Sequence, residues 1–504
     1  MTLPKADICL ILEGTYPYVA GGVSVWVHDL IKAQSNLTFS IVALLPDRAE
    51  RARKFDVPSN VVGIQEIYLQ EKSRRGRGGR RFTRMVERME PPLSRLLQQG
   101  SLDDLAQVIE ALKTDPETAR TDLLNAEDSW KMIVGMYERG LPGTSFLDYF
   151  WSWRSLAGGL FATLLAELPP ARVYHAVSTG YAGVLLARAA LETGRPALLT
   201  EHGIYTNERR VEIAMADWLT TRATASLDID KSRRDLRDFW IDAFVGYSRA
   251  CYEACAEIVT LYGGNQELQK RDGAPPDRLR IIPNGIDYAG YATIVRSTEA
   301  RRPTVVLIGR VVPIKDVKTF IRAIGALREA VPDLQAEIWG PDDEDAVYAE
   351  ECRTMAAHLG LLEGTLKFMG KVNIREQLGR VDVIALTSIS EAQPLVILEA
   401  GAAGVPSVAT DVGSCREIIY GRPDEEPWLG KGGEITPLSN PMATARALAE
   451  LLLDPRQRAA AAASMKARVE KSYNKREIDR VYADLYAKHL AAPDAKPSTK
   501  QAAA

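Results

Sequence analysis

Two glutamates eight residues apart, Glu391 and Glu399, stand in the segment SISEAQPLVILEA. An apolar run precedes them, and Pro394 suits the first turn of a helix. The spacing predicts Glu391 in a loop at the carboxyl end of a strand and Glu399 more than a turn into the helix. Backbone N–H groups of Leu395 and Val396, unbonded within such a helix start, can receive an anion. Carboxylates repel phosphate but suit hydroxyls. A phosphate on backbone donors with diols on either side describes a nucleotide-sugar. The plainer reading of the segment is a helix start with a surface glutamate.

A second constellation is Gly309-Arg310 with Lys315, in IGRVVPIKDVKTF. Arginine offers a planar fork of donors and lysine a point charge, so the two can address one diphosphate. They would then do the electrostatic work of Mg²⁺, and no metal or other cofactor is expected. Two solvated charges beside a sheet are the alternative. Gly21-Gly22 at a first strand–helix turn allows a ligand to approach the backbone. His202, in LLTEHG, follows a strand where active-site loops sit, and His175 ends the strand before it. Either histidine can also be a satisfied structural group. Asn284-Gly285 forms a tight turn. The spacing at Gly21-Gly22 is not GxGxxG, and no GxxxxGK[ST], GxSxG or HExxH segment occurs.

These residues need a scaffold that brings loops from distant segments together. Short apolar runs alternate with amphipathic stretches: Ile8–Leu12, then 39–44, 61–68, 172–176, 196–200, 257–261 and 279–282. A second set follows at 304–308, 335–339, 366–368, 383–386 and 405–409. Such alternation predicts parallel sheets covered on both faces. The expected fold class is therefore α/β with two Rossmann-like, doubly wound domains. The first spans 1–295, with a largely helical insertion at about 70–170. The second spans 300–470, followed by a helix at 471–490 and a disordered tail at 491–504. Residues 72–88 hold eight basic side chains against one acid. They read as a solvated loop or as a contact surface for an anionic partner.

Composition narrows the function classes. The 504 residues are 46% hydrophobic and 26% charged, with a net charge of −3, so the chain is globular and lacks the basic excess of a dedicated nucleic-acid binder. Five scattered cysteines fit buried, reduced thiols. The opening residues lack the pattern of a secretion leader, and the apolar stretch at 156–168 is too short to span a bilayer. A cytoplasmic place is expected, with attachment to the inner-membrane surface left open.

Taken together, these motifs resemble family 4 of the retaining glycosyltransferases, which has the two-domain GT-B fold. The resemblance covers nearly the whole chain except the 70–170 region. It implies two domains facing across a cleft, with a C-terminal helix crossing back. It implies a UDP-sugar donor, UDP-glucose or a UDP-N-acetylhexosamine, and anomeric retention. Arg310 and Lys315 would hold the diphosphate, Glu391 the donor sugar and Glu399 the ribose. Gly21, Gly22 and His202 would lie near the transferred group. The sequence departs from the family at Ala392-Gln393-Pro394 and at Gly413-Ser414. The opening segment, TEHGIYTNER and the Glu391 region are further similar to the glycosyltransferases of Pel-type bacterial exopolysaccharide systems. That similarity implies a polysaccharide or oligosaccharide acceptor and an inner-membrane synthesis and export complex as partner, with no nucleic acid. Competing expectations are a non-catalytic nucleotide-sensing scaffold, a sugar phosphorylase and a nucleotide-sugar epimerase.

Overall fold

A computed structural model of the chain describes residues 3–70, 79–214, 234–297 and 301–491. Residues 72–78 of the arginine-rich stretch and the tail from 492 lie outside the described residues. The chain divides into two compact units. One comprises residues 1–260, 265–281 and 482–504; the other comprises 261–264 and 282–481.

The first unit opens with β1 (Ala6–Glu13), α1 (Gly22–Ala33), β2 (Phe39–Leu45) and β3 (Val61–Tyr68). Among the described residues, five helices then interrupt the α/β rhythm: α2 (Arg80–Leu96), α3 (Leu102–Leu112), α4 (Pro116–Asp122), α5 (Glu127–Gly140) and α6 (Phe146–Leu165). The rhythm resumes with β4 (Ala171–Ala176), α7 (Tyr181–Thr193), β5 (Ala197–Glu201), α8 (Tyr205–Ala214), α9 (Leu236–Ala254), β6 (Glu257–Thr260), α10 (Gly263–Arg271) and β7 (Leu279–Ile281). The seven strands pair in parallel in the order β3-β2-β1-β4-β5-β6-β7. β1 and β2 are apolar runs buried on both faces, as a covered parallel sheet requires.

The insertion folds as helices because its apolar residues recur at helical spacing. In α2, Phe82, Met85, Val86, Met89, Leu93 and Leu96 are all buried. They share one core with α3, α6, α7 and α9, so the insertion is packed onto the sheet's own helices.

The second unit holds α11 (Tyr288–Ala292), β8 (Thr304–Ile308), α12 (Val317–Ala330), β9 (Gln335–Trp339), α13 (Ala346–His358), β10 (Leu366–Gly370) and α14 (Ile374–Gln377). β11 (Val383–Leu386), α15 (Leu395–Ala402), β12 (Ser407–Thr410), α16 (Cys415–Tyr420), β13 (Gly433–Thr436), α17 (Pro441–Leu453) and α18 (Pro455–Ser472) complete it. α19 (Lys475–Leu490) ends the described chain. The six strands are parallel in the order β10-β9-β8-β11-β12-β13.

In both sheets the winding reverses beside the first strand, between β1 and β4 and between β8 and β11. Loops diverge at such a switch point and leave a crevice at the strands' carboxyl ends. Each unit is thus a Rossmann-like, doubly wound α/β domain, and two such domains in one chain are the make-up of a GT-B fold. Two differences from the sequence-based expectation have simple causes. β12 starts at Ser407 because Pro406 has no N–H for the ladder. β13 was not expected, because GEIT lacks a continuous apolar run. All five cysteines are buried and unbridged. Burial pushes the Cys9 and Cys415 thiols up to about 12.

Candidate functional site

The switch point of the second sheet gathers the residues singled out by spacing. Gly309 and Arg310 leave β8, and Glu391 follows β11. Gly309 N–H donates to the Trp339 carbonyl at 2.9 Å. A Cβ on Gly340 would stand 1.9 Å from the Gly309 carbonyl oxygen, so glycine is needed for that close approach. The two loops are also stitched together. The Thr387 hydroxyl donates to the carbonyls of Lys315 and Asp316 at 3.0 Å each, and Ile389 N–H donates to Ile314 at 2.8 Å. Asp316, at φ +43°, caps α12 by accepting from Thr319 N–H.

The structure places Lys315 against Glu391, with Nζ at 2.5 Å from the carboxylate. Arg310 instead grips both oxygens of Glu344, at 2.5 and 2.6 Å. Each cation of the expected diphosphate clamp therefore already has a carboxylate partner. Glu344, on neither motif, was invisible to spacing arguments.

Pro394 precedes α15 and offers no side-chain cap, so the N–H groups of Leu395 and Val396 open the helix without one. Glu399 sits one turn further on, half-buried. Burial raises its carboxyl above the ordinary range, while the Tyr291 hydroxyl and the Arg375 charge pull the other way. Arg375 itself lies 4.6 Å over the Tyr291 ring and pairs with Asp287 at 2.8 Å. Tyr291 and Arg375 carried no sequence signal.

The loop between β11 and α15 is set from two sides. Gly413, at φ +52°, lies so close that a Cβ there would stand 2.2 Å from the Glu391 carbonyl and 2.5 Å from that of Ala392. Ser414 N–H donates to Ala392 O at 2.9 Å. Gln393 clamps Asn284 through both backbone groups: its Oε1 accepts from Asn284 N–H at 2.8 Å and its Nε2 donates to Asn284 O at 3.2 Å. The departures at 392–394 and 413–414 thus form one joined surface around Glu391. Glu417, on α16, accepts from Gly263 N–H at 2.8 Å.

The first unit carries the remaining candidates at the same end of its sheet. Gly21 is extended and Gly22 begins α1. A Cβ on either meets nothing within 4 Å, so open space, not crowding, surrounds them. His202 follows β5 and is buried, edge-on to the Trp26 ring at 4.7 Å. Its Nε2 has no hydrogen-bond partner among the described residues, and burial pushes its pKa down to about 4, so the ring is neutral. His175 differs. Its ring nitrogens meet Tyr486 Oη at 2.8 Å and Thr200 Oγ1 at 2.9 Å, which makes it a satisfied core group. Sequence reasoning also missed Glu201, next to His202. Fully buried, it accepts from Tyr252 and Gln269, at 2.7 and 2.9 Å, and burial raises its pKa to about 7. A glutamate ending an apolar strand, LLTE, was the available signal. Among the described residues no group of three or more His, Cys, Asp or Glu could hold a metal ion. No described helix is long and apolar enough to cross a membrane.

Residues 6–277 match the family model described as a domain of unknown function, DUF3492, and residues 302–454 match glycosyl transferases group 1. Among curated proteins, the chain is similar to the D-inositol 3-phosphate glycosyltransferase of Kribbella flavida. The two are 29% identical over 181 residues, which is 33% of this chain and 40% of that protein. It is also similar to the GDP-mannose-dependent alpha-(1-6)-phosphatidylinositol monomannoside mannosyltransferase of Mycolicibacterium smegmatis. There it is 32% identical over 206 residues, 37% of this chain and 50% of the other. The chain spans about half the length of the curated relatives it matches. Among solved structures, HepE of Anabaena in complex with UDP superposes with a TM-score of 0.58 at 15% identity. That match covers 96% of this chain and 100% of HepE, and it shows the shared fold.

Proposed function

We propose, from the premise that this chain belongs to the DUF3492 family and carries a glycosyl transferases group 1 domain, that it is a glycosyltransferase taking its donor from a UDP-sugar. The observation that carries this reading is the meeting of Arg310, Lys315, Glu391 and the uncapped start of α15 at one switch point. Cations and backbone N–H groups address a diphosphate; carboxylates address hydroxyls.

In the proposed reaction an acceptor hydroxyl attacks the anomeric carbon, the bond from that carbon to the diphosphate breaks, and UDP leaves. The hydroxyl proton passes to the departing phosphate oxygen. Arg310, Lys315 and the N–H groups of Leu395 and Val396 stabilise charge as it grows on the leaving group, which lowers the barrier of the chemical step. Glu391 orients the donor sugar and Glu399 the ribose. Neutral His202 packs on Trp26 of the helix that Gly22 begins, and the open backbone at Gly21-Gly22 admits the acceptor. Retention of anomeric configuration, through attack on the leaving-group face, is part of the proposal.

The finer proposal starts from the resemblance of the opening segment, TEHGIYTNER and the Glu391 region to the Pel exopolysaccharide glycosyltransferase PelF. It takes a growing exopolysaccharide as acceptor, a cytoplasmic place and an inner-membrane synthesis complex as partner. The test is calorimetric binding of UDP, GDP and ADP with EDTA present. Selective binding of UDP supports the reading. Selective binding of GDP would move the donor toward that named for the mannosyltransferase relative. Binding of none would remove the nucleotide roles of Arg310, Lys315 and Glu399.

A further inference from the structure

β3 is an edge strand of the first sheet. Outside it runs a groove of about 790 Å³, well within the size of ligand sites. The carboxyl half of β3 forms one wall. The other is a stripe of α6, where Trp151, Arg154, Ser155, Gly158 and Ala162 recur at helical spacing. From Trp151 to Leu165 that stripe runs about 20 Å. Phe161 and Leu123 give an apolar floor. Trp151 is 57% exposed. Arg154 is anchored to the Leu124 carbonyl at 2.7 Å and to Asn125 Oδ1 at 3.0 Å, so this wall is held in shape.

The groove connects to the acceptor-side loop. The Glu66 carboxylate accepts from the Tyr68 hydroxyl in the groove and from the Tyr18 hydroxyl, which lies in the turn leading to Gly21-Gly22. Arg48, also lining the groove, lies 4.6 Å over the Tyr68 ring. One carboxylate thus ties the groove to the glycine loop.

A sheet edge ordinarily attracts a peptide strand, which would pair with its free backbone groups. Here the Gln65 side chain donates to the Glu167 carbonyl at 2.7 Å. That bridge joins the middle of β3 to the chain beyond α6, and both residues line the groove. A sugar chain needs no backbone ladder. It needs an aromatic face for its C–H surfaces and planar polar groups for its hydroxyls. Trp151 supplies the first, and Glu66 and Gln70 supply the second.

We propose that this groove binds an extended oligosaccharide, the length of acceptor chain that trails away from the reacting end. The proposal rests on the glycosyltransferase reading for the identity of that chain, and on the groove alone for its binding.

The test is calorimetric titration of the full chain with chitopentaose and with maltopentaose, alongside UDP. One pentasaccharide binds, its disaccharide counterpart binds more weakly, and Trp151→Ala weakens the pentasaccharide about tenfold with UDP affinity unchanged. Trp130→Ala, a comparably exposed tryptophan outside the groove lining, leaves both affinities as they were. Failure of both pentasaccharides to bind while UDP binds overturns the proposal. So does unaltered pentasaccharide affinity in Trp151→Ala, or an equal loss in Trp130→Ala. A Val/Thr-rich decapeptide that binds the native chain but not Trp151→Ala would reassign the groove to a peptide. Pentasaccharide binding without any UDP binding would uphold the groove and sink the nucleotide reading instead.

Discussion

Lys315 and Glu391, 76 residues apart, form an ion pair in which neither side chain is more than a quarter exposed. A diphosphate addressed by Lys315 must compete with that carboxylate. Glu391→Gln is therefore expected to bind bare UDP about three- to tenfold more tightly, while sugar transfer falls. Calorimetry and turnover on the same variant check this; weaker UDP binding would show that no competition exists.

Arg310 and Glu344 are each about half exposed. An ion pair so open contributes little to stability, so Arg310→Ala should unfold within about 0.5 kcal/mol of the native chain. Its transfer rate should fall about 10²-fold, the usual loss for one preorganised donor to a developing charge. Thermal unfolding and initial rates together separate the two effects.

Gly413→Ala puts a methyl group against the carbonyls of Glu391 and Ala392, at a φ that alanine rarely adopts. The expected cost is about 1–3 kcal/mol, together with loss of donor binding as the Glu391 loop is displaced. Denaturant unfolding and UDP titration read the two. Wild-type values for both would contradict the close packing described.

Glu201 is held near 7 by burial, above the 4.5 of the free group. A raised pKa means the fold holds a proton that the unfolded chain releases. This contribution to stability is fully present below about pH 4.5 and is lost as pH rises through about 7. Glu201→Gln removes that dependence. The difference in Tm, wild type minus variant, should be larger at pH 4.5 than at pH 8, and a constant difference would refute the assignment.

The buried histidines act in the opposite sense. His202 is depressed to about 4 and His175 to about 3, from 6.5. Each contributes stability that is present above pH 6.5 and lost as pH falls through its folded value. His202→Gln should flatten the acid limb of the Tm profile, and the native pH–rate profile should show no His202 inflection near 6.5.

Much of the scaffold was legible because strands in a covered parallel sheet are continuous apolar runs. Residues 305–308 and 383–386 stand out for that reason, and the helices between them show their buried stripes. The loop positions of Arg310, Lys315 and Glu391 followed from strand ends and spacing. Their partners did not. Glu344 lies 34 residues from Arg310, and a charge pair over that span leaves no periodicity to read. Tyr291 was equally hidden, since a tyrosine in a short helix reads as packing. The joining of 391–393 to Asn284 and Gly413 depends on tertiary approach, which no local pattern encodes.

The five buried thiols make the native chain a quiet background for chemical labelling. Ser155 is exposed on the groove wall of α6. A cysteine placed there would be the reactive one in an otherwise unmodified protein. A fluorophore or spin label at that position would report occupancy of the groove directly, without first stripping the natural cysteines from the core.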